Sequence, residues 1–171
     1  MKVSIRPARE SEMEYIHALV ISNEEWTKFN GPYFPYSHPS LEQFKNSSFQ
    51  SLLLGVDSQL ITVDDIPVGM VSYYWECEET RWLEAGVILY DKEYWGKGIA
   101  AFAIPLWVSH LFESKEIERV GFTTWSGNPR MMSLALKLGF QQEARLRKVR
   151  YYNGEYFDSV KYGVLGMEWL E

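Results

Sequence analysis

Ile88-Leu89-Tyr90-Asp91-Lys92-Glu93-Tyr94-Trp95-Gly96-Lys97-Gly98-Ile99-Ala100 is the stretch from which the fold can be read. The apolar run Val87 to Tyr90 reads as a strand, and a short polar loop follows it. Trp95-Gly96-Lys97-Gly98-Ile99-Ala100 then leads into a helical pattern. Strand, glycine turn and helix start together make a nest of backbone N–H groups aimed at one point. Such a nest binds anions, because the first N–H groups of a helix lack an internal partner and the helix dipole adds partial positive charge. Two glycines let a large charged ligand approach the backbone, and Lys97 adds a positive charge. On spacing alone, a turn that merely joins a strand to a helix fits equally well. G-x-x-x-x-G-K-[ST] is absent, and Ala101 stands where G-x-G-x-x-G needs its third glycine.

Working outward, Trp82 to Tyr90 is the predicted central strand. It places Trp82, Glu84, Gly86 and Ile88 on one face and Leu83, Ala85, Val87 and Leu89 on the other. Glu84 is thus a carboxylate inside a mostly apolar strand. Burial there would raise its pKa, as a general base working near neutrality requires. The plainer reading is a glutamate that faces water or pairs with Arg81 or a neighbouring strand. The helix after the loop is expected over residues 97–113, with Ile99, Phe102, Ala103, Leu106 and Trp107 on its buried face. Pro105 predicts a kink or an early change of direction.

Further out, Lys2 to Arg6 reads as a first strand, and Ser11 with Glu14 fits a capping box for the helix that follows. His17 falls on that helix's apolar face, where a packed structural histidine is the simpler reading. Trp26 to Pro39 is rich in aromatics, Pro and Gly, and has no clear period. Leu41 to Phe49 is expected as a short helix capped by Ser40. Leu52 to Leu54 could begin a strand, although Leu60 to Val63 is the stronger candidate, and it pairs through the turn Asp64-Asp65-Ile66-Pro67 with Val68 to Trp75. Arg119 to Trp125 is another strand. Asn128 suits an N-cap, Pro129 the first helical position and Gly139 the position past the end. The last two strands, 140–152 and 155–167, meet at Asn153-Gly154, a strong two-residue hairpin signal. Arg145, Arg147, Lys148 and Arg150 precede that turn as a solvated face or, secondarily, a phosphate or acidic-partner contact.

The 171 residues are most simply one domain, residues 1–171, with enough chain for a proper core. No apolar run approaches the roughly 18 residues of a membrane span. Cys77 is the single cysteine, which excludes an internal disulfide and a cysteine metal cluster. No metal is expected, and the chain reads as cytoplasmic. A net charge of −6 disfavours nucleic acid and suits a cationic or neutral amine.

Three blocks carry a family resemblance. Glu93 to Ala100 looks like the pyrophosphate motif (Q/R-x-x-G-x-G/A) of the GCN5-related N-acetyltransferases. Asn128-Pro129-Arg130-Met131-Met132-Ser133-Leu134-Ala135-Leu136-Lys137-Leu138-Gly139-Phe140 is similar to that family's N-x-x-(S/A)-x-x-(L/V)-x-x-K-x-G-F element. Residues 143–147, then 152–158, then Glu168-Trp169 resemble the carboxy-terminal part of the branch that includes ribosomal-protein alanine acetyltransferases.

What the resemblance implies is an α/β fold with a mixed, mostly antiparallel sheet of six to seven strands. The sheet would be splayed between the central strand and the next, and flanked by about four helices. It also implies acetyl transfer from acetyl-CoA to a primary amine, on a protein N-terminus or a small molecule; composition and charge, as above, lead to no membrane and no nucleic-acid partner being expected. Association into a homodimer is left open. Val87, Ile88 and Leu89 would pair with pantetheine, Trp95, Gly96, Lys97, Gly98, Ile99 and Ala100 would hold the diphosphate, and Asn128 would contact the pantetheine arm. Glu84 would take the amine's proton. The chain departs from the family where a general acid is wanted, carrying Ala135 in place of a Tyr and Met131 in place of a Ser. A protein that binds acetyl-CoA but catalyses poorly is the alternative. An unrelated nucleotide-dependent enzyme is disfavoured by the missing Lys-Ser/Thr after the glycines.

Overall fold

Seven strands, β1 (Val3–Arg6), β2 (Ser58–Val63), β3 (Ile66–Cys77), β4 (Trp82–Leu89), β5 (Arg119–Trp125), β6 (Gln141–Tyr152) and β7 (Glu155–Leu165), form one mixed sheet. Their spatial order in this computed structural model, which describes residues 1–169, is β1-β2-β3-β4-β5-β7-β6. The described helices are α1 (Met13–Ile21), α2 (Leu41–Lys45), α3 (Ser48–Leu54), α4 (Ile99–Ser114), α5 (Pro129–Lys137) and α6 (Gly166–Trp169). The chain divides into two compact units. One comprises residues 1–26, 36–73 and 86–107; the other comprises 27–35, 74–85 and the chain from Val108 onward.

In the first unit β1 and β2 run antiparallel, from Val3↔Val63 to Arg6↔Leu60. The β2–β3 turn uses Asp64 and Asp65, both at positive φ (50° and 67°), the backbone that a two-residue hairpin turn requires. The ladder then skips Val68: Thr62 pairs with Pro67 and Ile61 with Gly69. Pro67, which has no N–H to donate, is tolerated beside that bulge. Gly69 has its own reason, since a Cβ there would sit 2.1 Å from the Ile88 carbonyl oxygen of β4. Ile16, Val20, Trp26, Phe44, Phe49, Leu52, Leu60 and Tyr90 form the packed core. His17 belongs to this packing: its Nε2 lies 2.8 Å from the Pro39 carbonyl oxygen and its ring 5.5 Å from Phe44.

Leu41 to Phe49 divides between α2 and α3 instead of forming one helix, and Ile66-Pro67 opens β3 instead of belonging to the turn. Three further expectations fail in this unit. Ser11 caps nothing with Glu14. Instead the Arg9 N–H donates to the Glu12 carboxylate at 2.8 Å, which also takes the Arg6 guanidinium at 2.6 and 3.0 Å. That ion pair closes a 3-10 turn at Glu10–Glu12, and the α-helix begins one residue later. Leu52 to Leu54 is helix, the end of α3, and stops at Gly55 in the left-handed conformation. Three apolar residues fit either period, and Ser48 to Ser51 on their N-terminal side settle it as helix. The third concerns the start of α4, where Phe102 (67% exposed) and Leu106 (46%) face outward while Ile99, Ala103, Ile104 and Trp107 are buried. The helix runs through Pro105 to Ser114 without ending.

In the second unit β4 and β5 are parallel, and their ladder consists of Leu83↔Val120 and Glu84↔Gly121. The pairing of β4 with β5 ends at Glu84. β7 pairs antiparallel with β5 along its whole length. β6 joins β7 through Asn153 (φ 52°) and Gly154 (φ 81°), as Asn-Gly predicts. Val120 and Phe122 on β5 share the buried face with Val160, Tyr162 and Val164 on β7, and Phe140 closes on Phe122 at 5.1 Å. The opposite face presents Arg119, Gly121 and Thr123 across from Leu165, Gly163 and Lys161.

Candidate active site

The loop after β4 is built to keep its amides open. Asp91 accepts from the Glu93 N–H at 2.9 Å, which folds Lys92–Tyr94 into a 3-10 turn. The Trp95 N–H closes that turn onto the Lys92 carbonyl at 3.0 Å, so Trp95 contributes no free amide. Its indole N–H donates to the Leu89 carbonyl at 3.0 Å, pinning the loop to the strand it leaves. Gly96 and Gly98 follow at φ 72° and 78°. Among the described residues, the N–H groups of Gly96, Lys97 and Gly98 show no backbone partner. Gly98 receives the Phe102 N–H at 3.2 Å and so stands as the N-cap of α4. Ile99, Ala100 and Ala101 form the first turn, whose N–H groups have no intrahelical acceptor. A Cβ built on Gly96 or Gly98 meets nothing within 4 Å, so the glycines face open space. Ile99, 1% exposed, anchors the turn from below. Lys97 is exposed, with its ammonium 5.6 Å from the Tyr94 ring centroid. Donors, dipole and cation all suit a doubly charged diphosphate.

In the second unit Glu84 is fully buried (0% exposed) on β4. Its Oε1 accepts from the Thr123 hydroxyl at 3.1 Å. Its Oε2 lies 3.7 Å from Arg119 Nη1, and neither of these two buried atoms has a hydrogen-bond partner. Arg119 leans the other way, donating from Nε (3.1 Å) and Nη2 (2.5 Å) to Glu143 Oε1. Burial raises the Glu84 pKa, and the Arg119 charge, the Thr123 hydroxyl and Lys161 offset part of that rise. Tyr74 on β3 is pushed up to about 12, by burial first and then by the charges of Glu84 and Glu76. Arg81 is not the partner considered from the sequence; it pairs with Glu116 at 3.4 Å. Arg119, Thr123 and Lys161 are the residues that sequence reasoning missed. The one available signal was strand alternation, which puts Arg119, Gly121 and Thr123 on a single face.

Asn128 caps α5 as expected, its Oδ1 accepting from the Met131 N–H at 3.1 Å. Its amide NH2 reaches the Phe29 carbonyl at 3.4 Å, an oxygen that also takes the Trp125 indole N–H at 2.9 Å. The aromatic segment is therefore tied down here. Tyr33 packs on Trp125 at 5.4 Å, and Arg150 lies over Tyr33 and Phe34 at 4.4 and 5.0 Å. Ala135 is buried in the helix interface (1% exposed) and has no proton to give. The basic run on β6 is not uniformly solvated: Arg145 pairs with Asp158 at 2.7 Å, whose other oxygen takes the Lys148 N–H at 2.8 Å.

A family model for the acetyltransferase (GNAT) domain matches residues 2–141. The chain belongs to the GNAT acetyltransferase family. Acetyl-CoA is its acetyl donor. Among similar GNAT proteins, the putative ribosomal N-acetyltransferase YdaF of Bacillus subtilis strain 168 is 26% identical, over 98% of this chain and 93% of its own. The ribosomal-protein-serine acetyltransferase of Escherichia coli K12 is 23% identical over 91% and 88%. The GNAT fold is likewise that of the spermidine N-acetyltransferase from Vibrio cholerae, solved with CoA and spermine. Its TM-score is 0.80 at 19% identity, covering 99% of this chain and 98% of that one. The ribosomal L7/L12 acetyltransferase RimL, solved with coenzyme A, gives a TM-score of 0.77 at 22% identity over 96% and 94%. No helix among the described residues is long and apolar enough to cross a membrane.

Proposed function

We propose that residues 1–171 act as one cytoplasmic acetyltransferase domain that acetylates a primary amine, on a protein N-terminus or a small molecule. The observation that carries this reading is the open loop from Gly96 to Ala100, with two left-handed glycines, unpartnered amides and a helix start. Its N–H groups and Lys97 hold the diphosphate. Val87, Ile88 and Leu89, beyond the end of the β4–β5 ladder, offer backbone groups to the pantetheine arm, and Asn128 has a second amide hydrogen for the same arm. Acetyl-CoA supplies an acyl group already activated as a thioester.

The chain's own tasks are then to position an amine and to manage its protons. Positioning supplies much of the rate, because a neutral amine attacks a thioester without a covalent enzyme intermediate. Glu84 takes the proton that the amine sheds. Burial suits it to that role, by raising its affinity for a proton toward the neutral range. Ala135 and Met131 offer no acid for the departing thiolate, which leaves solvent, Tyr94 or a residue of the aromatic segment from Trp26 to Pro39 to protonate it. Those two substitutions favour the second reading, a coenzyme-binding protein with little turnover.

Purified protein with acetyl-CoA, screened against amines and N-terminal peptides for thiol release, separates the two. Turnover with at least one acceptor is expected. Tight coenzyme binding with no turnover by any acceptor would establish the second reading.

A further inference from the structure

Glu84, fully buried, and Arg119, about a quarter exposed but with its Nη1 buried, approach without bonding. Oε2 and Nη1 stop at 3.7 Å, each with no partner, in an interior where an unmade hydrogen bond is costly. What keeps them apart is visible. Glu143 holds the guanidinium through Nε and Nη2, and the Tyr162 carbonyl takes Nη2 at 3.5 Å. The floor between the two groups is Gly121, where a Cβ would come within 1.9 Å of Glu84 Oε2 and 2.5 Å of Arg119 Nη1. Glu143 lies in the same way over Gly163, whose Cβ would meet its carboxylate at 2.5 Å. Gly121 and Gly163 are direct partners across β5 and β7. A row of acid, guanidinium and acid therefore crosses four strands over a glycine floor.

We infer that Arg119, drawn off by Glu143, is the positioning residue that sets how readily Glu84 takes and releases a proton. The inference rests on the reading of Glu84 as the proton acceptor. A full ion pair with Arg119 would leave Glu84 a poor base, and no cation at all would let burial hold its proton more tightly still. Glu143 holds the guanidinium between these limits, in contact with the Glu84 field but not bonded to the carboxylate. The other groups facing Glu84 are the Thr123 hydroxyl on β5, Lys161 on β7, and Tyr74 and Glu76 on β3. Lys161 Nζ donates to Thr123 Oγ at 3.2 Å, so its charge reaches Glu84 through that hydroxyl. Glu143 does not touch Glu84 and acts only through Arg119.

The test follows the Glu84 side-chain carboxyl by carbon-13 NMR across pH, assigned with Glu84→Gln, beside the pH dependence of kcat/KM. In Arg119→Gln the titration should move up, and kcat/KM on the acid side should fall about tenfold at fixed pH. Glu143→Gln should move both the other way, because the freed guanidinium closes on Glu84. Arg119→Lys keeps the charge but not the planar fork, and should lie between wild type and Arg119→Gln. Should Arg119→Gln fail to fold, the Glu143→Gln and Arg119→Lys shifts still decide. A Glu84 titration that stays put in the folded variants overturns the inference, whatever the kinetics do. A titration that moves as expected while the kinetic limb does not would uphold the hold of Arg119 on the carboxylate and remove Glu84 from the proton transfer.

Discussion

Replacing Gly98 by alanine separates a loop built for a ligand from one that merely connects two elements. Two costs can be worked out. Gly98 sits at φ 78°, where an L-residue loses roughly 1–2 kcal/mol. A Cβ there meets nothing within 4 Å, so no steric penalty is added in the free protein. Stability should therefore fall by only that amount, read as a shift of the urea midpoint. Coenzyme should suffer more, because the new methyl occupies the open side of the glycine, where the diphosphate would meet the backbone. Losing one charge-assisted amide contact is worth about 1.5–3 kcal/mol. That corresponds to roughly a 10- to 150-fold rise in Kd for CoA by calorimetry. Pantetheine, which has no diphosphate, should bind Gly98→Ala and wild type alike. An unchanged Kd for CoA, or equal weakening of CoA and pantetheine, would refute the reasoning and leave the glycine a connector.

Three more outcomes are expected. Asn128→Ala removes the N-cap of α5 and should cost about 1 kcal/mol in thermal or urea unfolding. Glu12→Gln removes the better shielded of the two carboxylates on Arg6, leaving the exposed Asp65, and should cost about 1–3 kcal/mol near neutral pH. The Arg6 hydrogen bond lowers the Glu12 pKa, so this stability is present above the ordinary carboxyl range and is lost as pH falls through the folded value; the gap between variant and wild type should close in acid. Glu84 behaves oppositely. Its raised pKa means the native state binds the extra proton, so its share of stability falls as pH climbs from the unfolded carboxyl value through the folded one. Glu84→Gln should remove that fall, and urea midpoints that track wild type at every pH would contradict it.

Local chemistry made part of this fold legible. Asn153-Gly154 announced its hairpin because few dipeptides tolerate two left-handed residues, and the pair adopts φ 52° and 81°. Asn128, Pro129 and Gly139 bounded α5, each for its own backbone reason. The glycines after Trp95 pointed to an anion loop, and both take the positive φ that such a loop needs. Other features depend on what the chain does far away. Leu52 to Leu54 fit strand or helix until Ser48 to Ser51 join them in one helix. Phe102 and Leu106 look like core at helical spacing, yet α4 turns Ala103, Ile104 and Trp107 inward instead. Strand alternation leaves Glu84 open between a buried base and a water-facing or paired glutamate, and its neighbour Arg119 comes from a strand whose parallel register places Gly121 beside Glu84. No local pattern reports that register.

The paired glycines on β5 and β7 carry a consequence for descent. Each leaves room for one acidic side chain, Gly121 for Glu84 and Gly163 for Glu143. A lineage that filled either space would have to give up or redirect the acid above it. Among relatives of this chain, residue identities at 84 with 121, and at 143 with 163, should therefore change together, and a collection of such sequences in which they vary independently would show that the carboxylates can rest elsewhere.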